Sequence, residues 1–365
     1  MHSARSGSVL QQCRLAQACT KAGELTRRNS LRKSTVLGAQ VRMCSSLYDA
    51  HCHLADARLA HCDLRALVRE ACDAGVRHLV VNGTCESDWA AVAKLAASVP
   101  GVVVPAFGLH PWRVAAASPH WAETLQAALE RHPHAALGEC GLHHGAGCEA
   151  TPQQQAAALA TQLDLAAKLR RPATLHCVRA QGAIHDALLA AAPPAGFLNS
   201  GGVMLHGYSG SAEMVPRFAA LGAHFSFSAA LGGMAPARAQ ALVRAIPDDR
   251  LLLETDAPDG LPRGSAALQL YHAPAPPQRL AFGAPPQRLA FGTPPCRCEE
   301  GEESADEAQA THALPREAPP LNHPASLRAV LQLVARLRGV EEDALAALTW
   351  RNSRRLFRAC LPEDA

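Results

Sequence analysis

The sequence predicts one closed (β/α)8 barrel of the TIM type, an α/β fold with a disordered leader before it and a disordered insertion after its eighth strand. Three observations carry that prediction. Short apolar runs rich in Val, Leu and Phe alternate eight times with stretches of helical period, which is the pattern of a parallel sheet with right-handed crossovers. Residues 1–46 and 263–320 fall outside the alternation, and without them the 365 residues reduce to 261, close to the roughly 250 of one barrel. No Gly-rich nucleotide loop follows the first run, which disfavours an open doubly wound sheet. The barrel is therefore expected to comprise residues 47–262 plus 321–360.

Taken in order, strands are expected at 46–49, 76–82, 102–108, 135–141, 173–178, 203–208, 224–228 and 251–256. Helical spacing covers 60–74, 87–98, 119–132, 152–169, 181–191, 212–221 and 236–246, and helices at 324–338, 341–348 and 352–359 close the chain. Chemistry in such a barrel lies at the carboxyl ends of the strands.

The leader holds eight basic residues against one acid, Glu24, and is rich in Ser, Arg and Ala. This composition fits an organellar transit peptide, a plain disordered tail, or sequence upstream of a start at Met43. A transit peptide would address a chloroplast or mitochondrion; otherwise the cytoplasm is expected. The remaining residues carry 27 basic and 31 acidic side chains, so the net +3 of the chain belongs to the leader. A slightly acidic body argues against a broad phosphate-tracking surface. Residues 263–320 contain APPQRLAFG twice in tandem, at 275–283 and 284–292, and then an acidic run from Glu299 to Glu307. Pro-rich, repeated and charged, this stretch buries little and reads as a flexible insertion. Thirteen cysteines without a CxxC pair speak against a disulfide framework and against a thiolate zinc site. No run of eighteen apolar residues occurs, so no membrane span is expected. A monomer is the default oligomeric state.

Five of the eight runs end in a metal-ligand type. His51-Cys52-His53 follows the first run, and residues two apart in extended chain point the same way, so both imidazoles face one point. Glu139 ends the fourth run, His176 the fifth, His206 the sixth and Asp256 the eighth. Singly, each has an ordinary explanation: a strand-end histidine caps a loop, and a buried acid accepts hydrogen bonds. Together, four imidazoles and two carboxylates exceed the demand of one tetrahedral ion. The expectation is two divalent ions bridged by Glu139, with His51, His53 and Asp256 about one, and His176 and His206 about the other. Such a pair makes water nucleophilic near neutral pH and holds both oxygens of a phosphoryl displacement. Asp256 is placed to accept the water's proton. Imidazole-rich ligation suits zinc or manganese.

Six motifs occur in order: Asp49-x-His51-x-His53, Gly108-Leu109-His110-Pro111, Gly138-Glu139-x-Gly141-Leu142, Leu175-His176-Cys177-Val178-Arg179, His206-Gly207-Tyr208-Ser209-Gly210 and Glu254-Thr255-Asp256-Ala257-Pro258. The set resembles the TatD family of metal-dependent deoxyribonucleases, barrels of the amidohydrolase superfamily. The resemblance runs from about Leu47 to Phe357 and skips the insertion. The Asn322-x-Pro324 turn and the Asn352…Leu356-Phe357 ending resemble the family's C-terminus. It implies a two-metal hydrolase of DNA phosphodiesters, with His51, His53, Glu139, His176, His206 and Asp256 as ligands. Glu139 and Asp256 would be catalytic, His110 would contact the substrate near the phosphate, and Arg179 would pair with a phosphate oxygen. The resemblance adds magnesium to the candidate metals. Two positions depart from the family pattern. His143, followed by His144, stands where Asp usually follows Gly-Leu, and Arg179 sits one residue later than the commonest His-x-Arg spacing. Neither departure removes a ligand, so metal binding is expected to persist.

With an acidic body, action on DNA ends or single strands is expected rather than on long duplex. Two alternatives use related chemistry. A small-molecule amidohydrolase of this superfamily commonly carries a carboxylated lysine on the fourth strand, but the four lysines, Lys21, Lys33, Lys94 and Lys168, all fall outside the predicted strands. An ester hydrolase acting on the 3′ end of nucleic acid, such as a D-aminoacyl-tRNA deacylase, would use the same activated water.

Overall fold

The computed structural model describes residues 46–191, 202–261 and 321–361. Residues 1–45 and 262–320 lie outside the described residues, and with them the expectations of a leader and an insertion. Eight strands pair in sequence order, each parallel to the next: β1 (Leu47–Cys52), β2 (Val76–Asn82), β3 (Val103–Phe107), β4 (Ala136–His143), β5 (Ala173–Val178), β6 (Val203–Leu205), β7 (His224–Phe227) and β8 (Leu251–Leu253). Past the end of β8 the ring is joined to β1: the Asp256 amide donates to His51 O at 2.9 Å, and the His53 amide donates to Ala257 O at 2.6 Å. The expected α/β barrel is the observed one.

Helices lie between the strands as the alternation requires: α1 (Leu64–Asp73), α2 (Trp89–Ser98), α3 (Trp121–Arg131), α4 (Pro152–Leu169), α5 (Gln181–Ala191), α6 (Val215–Ala220) and α7 (Pro236–Ala245), followed by α8 (Leu327–Arg338) and α9 (Glu342–Leu356). Helix α1 starts at 64 rather than 60 because Asp63 caps it, accepting from the amides of Arg65 and Ala66. The two closing helices expected at 341–348 and 352–359 are one helix, α9. Asn352 lies inside it and donates to Asp248 O (2.6 Å) and Leu251 O (2.9 Å), anchoring the helix to the start of β8.

Strand side chains sort into two buried clusters by the two-residue alternation. Leu79, Val81, Phe107, Leu137, Leu175, Leu205 and Phe225 pack outward against the helices. Ala50, Val80, Val104, Ala106, Ala136, Met204 and Leu252 fill the barrel interior, where Leu356 and Phe357 join them. Phe357 stacks on Tyr48 with centroids 5.7 Å apart and so plugs the amino-terminal end of the barrel.

Three strands break the alternation: β2 carries an extra residue opposite Leu47–Tyr48, and the breaks in β1 and β4 serve the opposite end. Between Asp49 and Cys52, β1 advances three residues while β2 advances two, from Leu79 to Val81. Between Leu137 and Cys140, β4 advances three while β5 advances two, from Ala173 to Leu175. One extra residue of this kind turns the following side chains over. Strict alternation from inward-facing Ala50 and Ala136 would send His51 and Glu139 out toward the helices. Instead Cys52 and Cys140 join the outer cluster, and His51 and Glu139 turn inward.

Candidate active site

At the carboxyl end of the barrel the four imidazoles and two carboxylates converge on Glu139, which is 2% exposed. Glu139 Oε2 lies 3.5 Å from His51 Nε2 and 3.0 Å from His53 Nε2. Its other oxygen, Oε1, lies 2.8 Å from His176 Nδ1, 2.6 Å from His206 Nε2 and 3.4 Å from His110 Nε2. Asp256 Oδ1 stands 3.7 Å from His51 Nε2 and 3.8 Å from His53 Nε2. In three subsets the donor atoms all lie within 4.8 Å of one another: His51, His53 and Glu139; His51, His206 and Asp256; His110, Glu139 and His176.

Nitrogen faces nitrogen across this cluster, with His51 Nε2 and His53 Nε2 3.0 Å apart and His176 Nδ1 and His206 Nε2 3.3 Å apart. Burial, aided by His206, holds His51 down to about 3. Against the cost of burial, Glu139 lifts His53 to about 9 and His206 well above the usual imidazole range. Glu139, buried though it is, is held well below the usual carboxylate range by His206 and His110. Burial pushes Asp256 up to about 7. Lone pairs aimed at common points around one carboxylate, in a pocket of imidazole and oxygen donors, fit divalent metal ions.

The chain matches the model of the family described as TatD related DNase over residues 48–358. It belongs to the TatD family. A relative from Erwinia billingiae named 3′-5′ ssDNA/RNA exonuclease TatD is 30% identical over 316 residues, covering 86% of this chain and 99% of the relative. One of the same name from Pantoea vagans is 33% identical over 221 residues, 60% of this chain and 81% of the relative. Among solved structures, the TatD homologue YjjV of Escherichia coli aligns with a TM-score of 0.64 at 25% identity, over 87% of this chain and 99% of that one. A TatD family hydrolase of Entamoeba histolytica shares the fold, with a TM-score of 0.65 at 15% identity over 86% and 98% of the two chains. The chain is thus a metal-dependent hydrolase of the TatD type.

In this TatD barrel the donor residues are held from behind. The Asp49 carboxylate accepts from the Thr255 amide (2.9 Å), the Thr255 hydroxyl (2.5 Å) and the His51 amide (3.3 Å), tying β1 to the segment that carries Asp256. Glu254 accepts from Ser226 Oγ at 2.5 Å and from the Gly207 amide at 2.8 Å, and its Oε1 stands 3.7 Å from His206 Nδ1. His53 Nδ1 lies 3.1 Å from Asn82 O, which directs Nε2 at Glu139. His143, the departure from the family's Asp, stacks on His176 with its Nδ1 2.9 Å from His176 Nε2. Gly145 makes room for that ring, since a Cβ there would lie 2.6 Å from His143 Nε2.

His110 Nδ1 accepts from the Trp112 amide at 3.1 Å, so its Nε2 carries the proton and points it at Glu139. Arg179 stands apart from the cluster: it is exposed, with φ 53°, and close enough to His143 to disfavour protonation of that ring. Two further residues carried no sequence signal strong enough to be singled out. Gln162 on α4 accepts from the Leu109 amide (2.8 Å) and donates to Leu109 O (3.1 Å). Gln155, seven residues earlier on the same helix face, accepts from the His143 amide (2.7 Å) and donates to His143 O (3.2 Å). These two buried amides hold the backbone beside His110 and at His143. The available signal was a pair of glutamines two helical turns apart on a face otherwise lined by Leu and Ala.

Proposed function

We propose that this TatD barrel is a two-metal nuclease that hydrolyses DNA phosphodiester bonds at ends or in single strands. The observation that carries the reading is the division of labour at Glu139, whose Oε2 faces His51 and His53 while Oε1 faces His176 and His206. That division supports one ion held by His51, His53 and Asp256, a second held by His176 and His206, and Glu139 shared between them. Zinc and manganese suit so many imidazoles, and magnesium is the third candidate. Bound there, such ions supply the Lewis acidity that makes water nucleophilic near neutral pH and offsets charge on the phosphoryl oxygens.

The chain's own residues supply the rest. Asp256, with a side chain 23% exposed, accepts the proton of the attacking water. His110 presents Nε2–H to the centre and donates to a phosphate oxygen. Arg179 pairs with phosphate at the rim. His143 keeps the His176 ring turned so that Nδ1 faces inward. The barrel of residues 47–262 and 321–360 is the catalytic unit. The relatives' names specify single strands and exonuclease action, and a body of net −4 agrees with a site that grips few phosphates. Lys94 and Lys168 lie on α2 and α4, so among the described residues no strand lysine supports the small-molecule alternative.

The test is metal analysis together with degradation assays on labelled single-stranded DNA, duplex DNA and charged tRNA, for the wild type and Glu139→Gln. The wild type is expected to bind two equivalents of divalent metal and to degrade single strands fastest, and the variant to lose both metal and hydrolysis. Full activity in the variant, or in excess chelator, would sink the two-metal reading. Preferred cleavage of the tRNA ester would move the substrate assignment.

A further inference from the structure

Three large apolar side chains stand exposed among the described residues: Trp112 (54%), Leu189 (50%) and Val340 (42%). Leu189 is on α5 and Val340 in the turn between α8 and α9. Trp112 alone adjoins the active site, on the short 3-10 turn Pro111–Ala116 that follows β3. Its ring lies 5.2 Å from that of His110 and 5.2 Å from that of His143, edge-on to both. The turn is fixed: the Trp112 amide donates to His110 Nδ1, and Pro111 O accepts from Cys148 Sγ at 3.5 Å. An indole is thus anchored by two histidines of the centre while half of its surface is left to solvent.

We propose that Trp112 is the stacking platform for the base of the nucleotide whose phosphate enters the metal centre. The inference rests on the nuclease reading for the phosphate and adds a binding site for the base. A single side chain, His110, separates the indole from Glu139, with its Nε2 3.4 Å from Glu139 Oε1. Platform and hydrolytic centre are therefore related as a base is to its own phosphate. Every base has a π-face, so an aromatic platform grips any base without reading sequence, and each stacked base contributes about 1–3 kcal/mol. A body of net −4 has little phosphate attraction to offer beyond the one phosphate at the centre, so stacking adds grip that the rest of the surface does not supply. An unpaired terminal base is free to stack, whereas a paired one must first open, so the platform also favours single strands.

The experiment compares metal-loaded wild type, Trp112→Phe and Trp112→Ala on two single-stranded oligodeoxynucleotides, one ordinary and one with abasic residues at both ends. Hydrolysis gives KM and kcat; anisotropy with phosphorothioate versions of the same strands gives Kd. The wild type is expected to favour the base-bearing strand by about 5- to 150-fold in KM and Kd. In Trp112→Ala that ratio falls to within about twofold of unity, and Trp112→Phe retains most of it. A ratio unchanged in Trp112→Ala overturns the proposal. So does an equal loss on both strands, which would make the indole only a prop for His110 and His143. Base-dependent binding without cleavage of either strand would overturn the nuclease reading and leave the platform standing. Cleavage of both strands with equal KM by the wild type would do the reverse.

Discussion

Replacing Gln162 with leucine isolates one of the devices that hold the site. Gln162 is 1% exposed, and its amide bonds to both backbone groups of Leu109, at 2.8 and 3.1 Å, with a further contact to Ala158 O at 3.2 Å. Leucine has nearly the same volume, so little cavity opens. What changes is that the amide and carbonyl of Leu109, itself 1% exposed, are left buried without partners. Each orphaned group costs about 1–3 kcal/mol, partly offset because the variant no longer buries a polar amide. The net loss is expected at about 2–4 kcal/mol. Urea unfolding of the metal-loaded protein measures it as a lower midpoint at unchanged slope. Gln154→Ala is the control: that exposed amide only completes the cap on α4 by accepting from the Thr151 amide at 2.8 Å, and its loss should cost under about 1 kcal/mol. Because Leu109 immediately precedes His110, kcat/KM should also fall in Gln162→Leu and not in Gln154→Ala. A loss below about 0.5 kcal/mol in Gln162→Leu would refute the reasoning, since no buried network that matters is that cheap to break.

Three further outcomes are expected. His143→Ala frees the His176 ring and should weaken metal affinity about 10- to 100-fold by competition titration, while His143→Asp, the family's usual residue, should restore it; an unchanged affinity in His143→Ala would show that His176 needs no brace. Burial, with Arg250 nearby, holds His224 at about 4 against the ordinary 6.5, so the folded state takes up fewer protons than the unfolded one. The stability this group contributes is complete above 6.5 and fades as pH falls toward 4, by about 3 kcal/mol in all; His224→Leu should flatten unfolding midpoints across that window, and an unaltered pH profile would count against it. Single-strand affinity should fall only gently with salt, with a log–log slope of about −0.7 to −1.5, corresponding to one or two neutralised phosphates; a slope steeper than about −4 would reveal a basic track that the chain's charge does not provide.

Strand order was legible because parallel strands are buried on both faces and appear as continuous apolar runs. His176 and His206 were legible as inward residues too, since they follow Thr174 and Met204 by two positions in regular strands. His51 and Glu139 were not. Their identity stood out, but the direction they face depends on the extra residues in β1 and β4, and a one-residue offset leaves no mark in hydrophobic periodicity. The glycines around Glu139 are the nearest trace: Gly141 has φ 142°, and a Cβ there would lie 2.0 Å from His176 O, so only glycine lets β4 approach β5 at that point. Asp256 was expected at a strand end, yet it lies three residues past Leu253 with φ 54°, held by the backbone bond to His51 O. The glutamines of α4 stayed hidden for a different reason. Whether an amide on a helix face meets solvent or the backbone of a neighbouring loop is decided by packing, which helical period does not encode.

The departure at His143 and the acidic body bear on one another. A carboxylate at that position would stand in the wall beside His176, facing any phosphate that approached the centre. The imidazole found there has its protonation disfavoured by burial and by His176, so it braces the ring without adding charge of either sign. Asp49, pushed up to about 8 by burial, lies behind His51 and spends its oxygens on the Thr255 amide and hydroxyl and on the His51 amide. At the donor set itself negative charge lies on Glu139 and Asp256, the proposed ligands, with Glu254 behind His206 and with Asp56 and Asp259 paired to Arg58 at the edge. On the two-ion reading the bound cations then outweigh the two carboxylates that would hold them, giving a small positive focus in a slightly acidic barrel. Field lines from such a focus reach a single phosphate at the mouth but cannot follow a long backbone. The chemistry that favours ends and single strands is therefore built into the charge layout of the mouth, and the exposed indole of Trp112 lies where the base of that one nucleotide would arrive.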